Sequence, residues 1–363
     1  MIATDVMLPA DDLDRVVVHS ARHFERLSGA TVLITGATGF FGRWMLETLM
    51  AANRQLTLGI RCIAHGSPRS AEQPPPTFGG PVTWVFGATE ALPALLPRAG
   101  VAVEGLGAIV HLAVSGATDH GRPRPLGAFE DAVRGASTVL ALARGNPGCR
   151  VLITSSGAAY GQQTATGQAL SEACLPLADP LDPTDAYGAG KRAVEFLAAA
   201  AAAEHGTEAV IARPFAFIGP RLPLDRNFAA GNFLQQVLRD EPIVIAGDGT
   251  AVRSYLYASD LADWLWAVLA AGRPGQAYNV GSATPVSILD LARTIAAVGG
   301  TPVVVEGRRG PEQRAWYVPN VDRATGELGV RETVDLEAAV TRTLRWHRAH
   351  HPDRHRRDPF PSE

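Results

Sequence analysis

A chain of 363 residues that is 46% hydrophobic and 19% charged is long enough to bury a large core, and its composition excludes a disordered polymer. A formal net charge of −3 and a pI near 6.4 give no basic field for nucleic acid or an anionic membrane, so a small molecule is the expected partner. Cys62, Cys149 and Cys174 are an odd set without metal-ligand spacing, and the first residues lack the basic and apolar regions of a leader; a reducing cytoplasm is expected, and no metal.

Residues 11–27, "DDLDRVVVHSARHFERL", join an acidic cap signal to helical spacing and predict a helical extension over residues 1–30 that packs on the adjoining domain. Short, apolar, β-branched runs come next at 31–36, 108–114, 150–156 and 209–215, the pattern of strands buried on both faces. Between them lie helical patterns near 43–52, over 128–144 and around Lys191, with a proline-rich loop over 67–81. The apolar run 196–203 is far shorter than the ~20 residues needed to span a bilayer. This alternation predicts an α/β fold: a Rossmann-type doubly wound parallel sheet over 31–215, with a segment near 252–283 returning to it. Turn signals crowd together past residue 215 and predict a smaller, irregular substrate-binding lobe over 216–350, followed by a basic tail over 351–363. Four of the ten histidines lie at or beyond His347, and a solvated tail explains them better than a metal site.

Two stretches carry chemistry. "TGATGFFG", residues 35–42, places Gly36, Gly39 and Gly42 directly after the first strand. Glycines there permit a tight turn and close backbone approach, and the next helix offers unpaired N–H groups and a positive dipole end to a pyrophosphate. The second stretch, "YGAGK", holds the only lysine of the chain, Lys191, against 32 arginines. Tyr187 and Lys191 are four apart, on one helix face. A nearby ammonium favours phenolate and should lower the tyrosine's pKa toward working pH, making it a proton acceptor. A hydroxyl partner is available at the end of the 150–156 strand in Thr154, Ser155 and Ser156.

These motifs resemble the extended branch of the short-chain dehydrogenase/reductase family over roughly residues 31–346, and look closest to nucleotide-sugar epimerases and dehydratases such as the UDP-galactose 4-epimerases. The resemblance implies a catalytic set of Ser156, Tyr187 and Lys191. It implies a dinucleotide held by Gly36, Thr38, Gly39, Phe40, Phe41, Gly42, Leu112, Ala113 and Pro214 together with Tyr187 and Lys191. "SSGAAYG" resembles the family's hydroxyl signature and puts Tyr160 on the substrate side; "GDGTAVRSYLYASDLA" and "GRRGPE" resemble segments whose arginines, here Arg253 and Arg309, contact a nucleotide diphosphate. Guanidinium forks match phosphate oxygens.

The chain departs from the family pattern in four places. No Asp or Glu occurs from Thr48 to Ala71, where NAD-preferring relatives hold the ribose 2′-hydroxyl; Arg61, His65, Ser67 and Arg69 lie in that window and could meet a 2′-phosphate, which leans slightly toward NADP and leaves NAD or NADP open. Ala88 and Ala216 stand where relatives carry an adenine-contacting Asp and a substrate-contacting Asn. Gly157 and Ala158 stand where sugar dehydratases carry an acid pair. The implied activity is therefore a cytoplasmic nucleotide-diphosphate-sugar C4 epimerase with a tightly bound NAD(P), a homodimer with no nucleic-acid or membrane partner. Alternatives are an NADPH-dependent 4-keto-sugar reductase, a dehydratase or decarboxylase with a relocated acid and base, and a non-enzymatic dinucleotide sensor.

Overall fold

The computed structural model describes residues 6–72, 78, 80–113, 118–119, 122–161, 167–174, 179, 181–224, 228–307 and 315–350. Seven strands form one sheet: β1 (Thr31–Thr35), β2 (Arg61–Gly66), β3 (Val82–Phe86), β4 (Leu106–His111), β5 (Arg150–Thr154), β6 (Glu208–Pro214) and β7 (Ala277–Val280). Their order is β3-β2-β1-β4-β5-β6-β7, and every pairing is parallel. Parallel strands must be covered on both faces, which explains their unbroken apolar runs.

Alternation along each strand feeds two cores. Val32, Ile34, Val110 and Leu152 face one way and pack with Trp44, Leu49, Leu265 and Trp266 of α2 (Phe40–Gln55) and α7 (Ala258–Ala271). Leu33, Ile63, Ile109 and Ile153 face the other way, against α3 (Leu92–Arg98), α4 (Pro125–Arg144) and α5 (Ala186–His205). The amino-terminal helix α1 (Ala10–Glu25) lies on α2 and α7.

Beyond residue 215 the chain is more regular than its turn signals suggest. Helices α6 (Ala229–Leu238), α8 (Ile288–Gly299) and α10 (Leu336–His350) bury Leu234, Leu291, Ile295 and Val340 in a separate core. The turns sit between these helices, and their density hid the apolar spacing within each. Strand Val252–Arg253 pairs in parallel with Trp316–Tyr317, setting Arg253 opposite Tyr317. Among the described residues no helix is long and apolar enough to cross a membrane.

One buried carboxylate ties the amino-terminal helix to the core beyond residue 215. Asp12, 1% exposed, accepts from Tyr257 Oη and from Arg342 Nη1 at 2.6 Å each. Asp12→Ala strands a buried phenol and a guanidinium without their acceptor, an expected loss of about 1–3 kcal/mol. In denaturant titration the midpoint should fall with the slope unchanged.

Candidate active site

The chain reverses its direction of winding between β1 and β4, and a parallel sheet opens a crevice at the carboxyl ends of its strands at such a point. The glycine loop enters it from β1. Gly36 has φ +69°, and a Cβ there would lie 2.8 Å from the Ala113 nitrogen, so the turn and the residues after β4 pass backbone to backbone. At Gly42 a Cβ would lie 2.0 Å from the Gly36 carbonyl oxygen, so only glycine lets α2 start against β1. Gly39 precedes the first turn of α2 with no side chain capping that helix, and a Cβ there would meet only the Gly36 oxygen at 3.3 Å. Open space in front of uncapped N–H groups is what a dinucleotide pyrophosphate requires, so these residues fit the group that the resemblance implies. Phe41 packs edge-on against Phe217 with ring centroids 5.1 Å apart, while Phe40 packs against both cores.

Two expectations for the ribose end need correction. Arg61 is the first residue of β2, at the opposite edge of the sheet from the crevice, and its Nε donates to Thr31 Oγ1 at 3.0 Å. His65 is 2% exposed with Nε2 on the Gly87 carbonyl at 3.0 Å, and burial pushes its pKa down, so it brings no cation to a 2′-phosphate. The polar groups beside the loop are instead three linked hydroxyls: Ser70 lies 3.1 Å from both Thr38 and Ser67.

The end of β5 offers three hydroxyls and spends two. Thr154 Oγ1 donates to the His111 carbonyl at 2.7 Å, and Ser155 Oγ donates to Glu195. Ser156 remains, accepting from the Ala158 N–H at 3.1 Å and lying near the Tyr187 hydroxyl. Lys191, 4% exposed, donates from Nζ to the Thr154 carbonyl at 2.7 Å and sits 5.8 Å from the centre of the Tyr187 ring. Helix α5 thus brings the three residues together beside the crevice, with Pro214 at the neighbouring end of β6.

Electrostatics differ from the expectation at one point. Burial lowers the Lys191 pKa to about 8, opposed by Glu195, so the ammonium persists below that pH. Burial also raises the pKa of Tyr187, and the opposing influence is the nearby Ser156 hydroxyl rather than the lysine. The reason is geometric, since Lys191 lies beneath the ring and gives a proton to a backbone carbonyl.

Tyr160 also departs from its expected place. It is 2% exposed, donates to Asn279 Oδ1 at 2.8 Å and accepts from Arg213 Nη1 at 2.9 Å, so its hydroxyl is spent inside the protein and burial lifts its pKa to about 12. Arg213 in turn grips Glu195 through Nε and Nη2, at 2.8 and 2.7 Å. Arg253 borders the site through Tyr317, its guanidinium 5.6 Å from that ring centre. Arg309 lies outside the described residues. Sequence reasoning missed Tyr317, whose hydroxyl takes the space beside Gly157, and Glu195, whose signal was available as a third member of the stripe 187, 191, 195.

Gly39→Val would fill the open space before α2 with a branched side chain. The purified variant should keep its fold and lose its bound dinucleotide, which cofactor release and absorbance measure directly.

Residues 32–281 match the family model described as the NAD dependent epimerase/dehydratase family. Among curated relatives, UDP-glucuronic acid decarboxylase 5 of Arabidopsis thaliana is 26% identical over 314 residues, 86% of this chain and 88% of that one. UDP-glucuronic acid decarboxylase 1 of the same plant is 29% identical over 65% of this chain, and the match spans only 54% of its length. A dTDP-glucose 4,6-dehydratase of an Actinoplanes strain is 30% identical over 47% of this chain and 53% of its own. The fold is similar to that of dTDP-glucose 4,6-dehydratase from Streptomyces venezuelae, solved with NAD, at TM-score 0.72, 24% identity and 89% and 98% coverage. It is also similar to UDP-glucose 4-epimerase from Thermotoga maritima, at TM-score 0.70, 20% identity and 88% and 99% coverage. With 250 consecutive positions inside the family model, a parallel seven-stranded sheet and an intact Ser156, Tyr187 and Lys191 set, the chain belongs to the NAD dependent epimerase/dehydratase family.

Proposed function

We propose that the protein is a nucleotide-diphosphate-sugar C4 epimerase, which oxidises C4 by hydride transfer and returns the hydride to the opposite face. The observation that carries this reading is a site floor built of hydroxyls. Ser156, Tyr187 and Tyr317 meet there, and Gly157 and Ala158 bring no carboxylate. In the oxidative step Tyr187 accepts the C4 hydroxyl proton, Ser156 holds that oxygen, and Lys191 keeps positive charge beneath the phenol. Gly36, Thr38, Gly39, Phe40, Phe41, Leu112, Ala113 and Pro214 would hold the dinucleotide. When bound, it supplies the hydride acceptor and donor. The linked hydroxyls of Thr38, Ser67 and Ser70, with no carboxylate at the end of β2, support binding of either NAD or NADP.

Elimination of water would need a positioned acid and base, each worth about 10²- to 10⁴-fold. Lacking both costs roughly 5–11 kcal/mol of barrier at about 1.36 kcal/mol per tenfold. Glu172 and Asp185, the carboxylates that could stand in for the missing pair, are already engaged. Glu172 accepts the Asn279 N–H at 2.8 Å, and Asp185 pairs with Arg192 at 2.7 Å.

Decarboxylation of a nucleotide hexuronate is the second reading, favoured by the decarboxylases among the relatives. A 4-keto hexuronate is a β-keto acid that can lose carbon dioxide without a C5–C6 acid–base pair, so it asks nothing the site lacks. Under either reading Arg253 binds the diphosphate, and the assembly is a homodimer in a cytoplasmic setting. Leu126 of α4 and Phe196 of α5, 69% and 71% exposed, are apolar side chains available to a second copy.

A panel of UDP, dTDP, CDP and GDP hexoses and UDP-glucuronate, read by mass spectrometry and chromatography, tests the proposal. An epimer of unchanged mass with no net cofactor consumption is expected. A product lighter by carbon dioxide establishes the second reading, one lighter by water overturns both, and stoichiometric cofactor oxidation marks a reductase. Lys191→Arg should fold with an unchanged unfolding midpoint and lose at least ~10²-fold in kcat, because a guanidinium cannot replace a compact ammonium on the Thr154 carbonyl.

A further inference from the structure

Ser156 sits on a short span of chain whose two ends are held by one side chain. It lies between the end of β5 and a single helical turn, Gly157–Tyr160, and its hydroxyl accepts from the Ala158 N–H at 3.1 Å. Just before it, Ser155 is buried: its N–H donates to the Ala212 carbonyl of β6 at 2.7 Å and its hydroxyl to Glu195 of α5. At the far end of the turn Tyr160 is buried too, its ring 6.1 Å from that of Phe215.

Arg213 of β6 joins these ends. Its Nε and Nη2 reach the two Glu195 oxygens at 2.8 and 2.7 Å, and the oxygen that receives Nε is the one on which Ser155 donates. Its remaining arm, Nη1, donates to Tyr160 Oη at 2.9 Å, with the guanidinium carbon 4.7 Å from the centre of that ring. Tyr160 passes its own proton to Asn279 Oδ1 at 2.8 Å, and Asn279 Nδ2 donates to the carbonyls of Leu170 and Asn320. Every donor in this set has an acceptor, and the phenol gives one proton and receives one. The Arg213 and Glu195 side chains are only 14% and 13% exposed, so water competes little for these bonds. A guanidinium is a rigid planar fork, which fixes the spacing between the carboxylate and the phenol. Residues 155–160 bridge that spacing, and Thr154, whose carbonyl holds Lys191, comes immediately before them.

We propose that Arg213 is a positioning residue that sets the place of the Ser156 hydroxyl, by fixing the turn that carries it at both ends, through Glu195 and Ser155 on one side and through Tyr160 on the other. The proposal rests on the reading of Ser156 as the group that holds the substrate C4 oxygen. Arg213 acts through the backbone of the turn and not on the substrate. A misplacement of about 1 Å in a reacting geometry can cost roughly 10²-fold, so a clamp of this kind has a rate to protect. It also accounts for the inward hydroxyls of Ser155 and Tyr160, which flank the serine in sequence and face away from the crevice.

Two substitutions release one end each and leave the Arg213–Glu195 pair whole. Ser155→Ala removes the hydroxyl on Glu195; Tyr160→Phe removes the oxygen on Arg213 and keeps the ring. Amide hydrogen exchange on the purified protein, read by mass spectrometry, should show residues 156–161 exchanging at least ~10-fold faster in each variant, with residues 151–153 of β5 unchanged. In turnover each should lose roughly 10- to 100-fold in kcat at an unchanged KM for the nucleotide sugar. In a Ser156→Ala background neither should lower kcat further, because the group being positioned is gone. Arg213→Lys, a point charge in place of a fork, should combine both effects; if it fails to fold, the two single-end variants decide. Unchanged exchange, unchanged kcat, or a loss that persists in the Ser156→Ala background each overturns the proposal; the last would mean that Arg213 acts on Lys191 through Glu195, or on stability at large. Full kcat in Ser156→Ala alone would instead overturn the reading of the serine on which the proposal rests, a failure that the substrate-free exchange distinguishes from failure of the clamp.

Discussion

A single ammonium buried at the end of β5 constrains the architecture around it. Taking a charge out of water costs several kcal/mol unless geometry repays it, and Lys191 is repaid by a 2.7 Å bond to the Thr154 carbonyl and by Glu195 one turn along the same helix. Glu195 cannot serve the lysine unless it is itself fixed. Ser155 donates to it, Arg213 clamps it with two bonds, and Arg213 donates in turn to Tyr160, which donates to Asn279. The polar side chains behind the site thus form one connected chain crossing β5, β6 and β7, three neighbouring strands. Removing a member would leave buried charge uncompensated, which costs more than any one bond is worth.

That arrangement leaves the reacting phenol with a conflict. Tyr187 must give up its proton readily, yet the burial that shields the site from water works against its ionisation. The lysine beneath the ring supplies charge at a distance and spends its bond on the backbone, so hydroxyl donors near the phenolic oxygen have to carry the rest.

What the sequence made legible divides along sequence distance. The glycine loop and the Tyr187–Lys191 pair were readable because their chemistry is fixed by spacings of three and four residues within one turn or helix, and the structure brings both to the crevice. Arg61 was misplaced because a count of residues past the glycines does not say which end of β2 a residue occupies; it begins the strand, and the crevice lies at the other end. Tyr160 was read from its local motif, but its hydroxyl is satisfied by Arg213 and Asn279, 53 and 119 positions away. Tyr317 gave no local signal, since its meaning comes from the pairing of Trp316–Tyr317 with Val252–Arg253. The helices beyond residue 215 were hidden by the turns between them.

The absence of carboxylates at 157 and 158 looks in the sequence like a simple loss of two functional groups. In the structure it is a packing decision. With the Tyr317 hydroxyl 2.3 Å from where a Cβ would stand, no side chain of any kind fits at 157 until the phenol withdraws, and the phenol is pinned between Phe215 and Arg253. Glycine and tyrosine therefore form one unit. Placing an acid at 157 would displace the phenol from its seat against Phe215. A single substitution at 157 therefore cannot place a carboxylate beside Ser156 without rebuilding the packing of Tyr317.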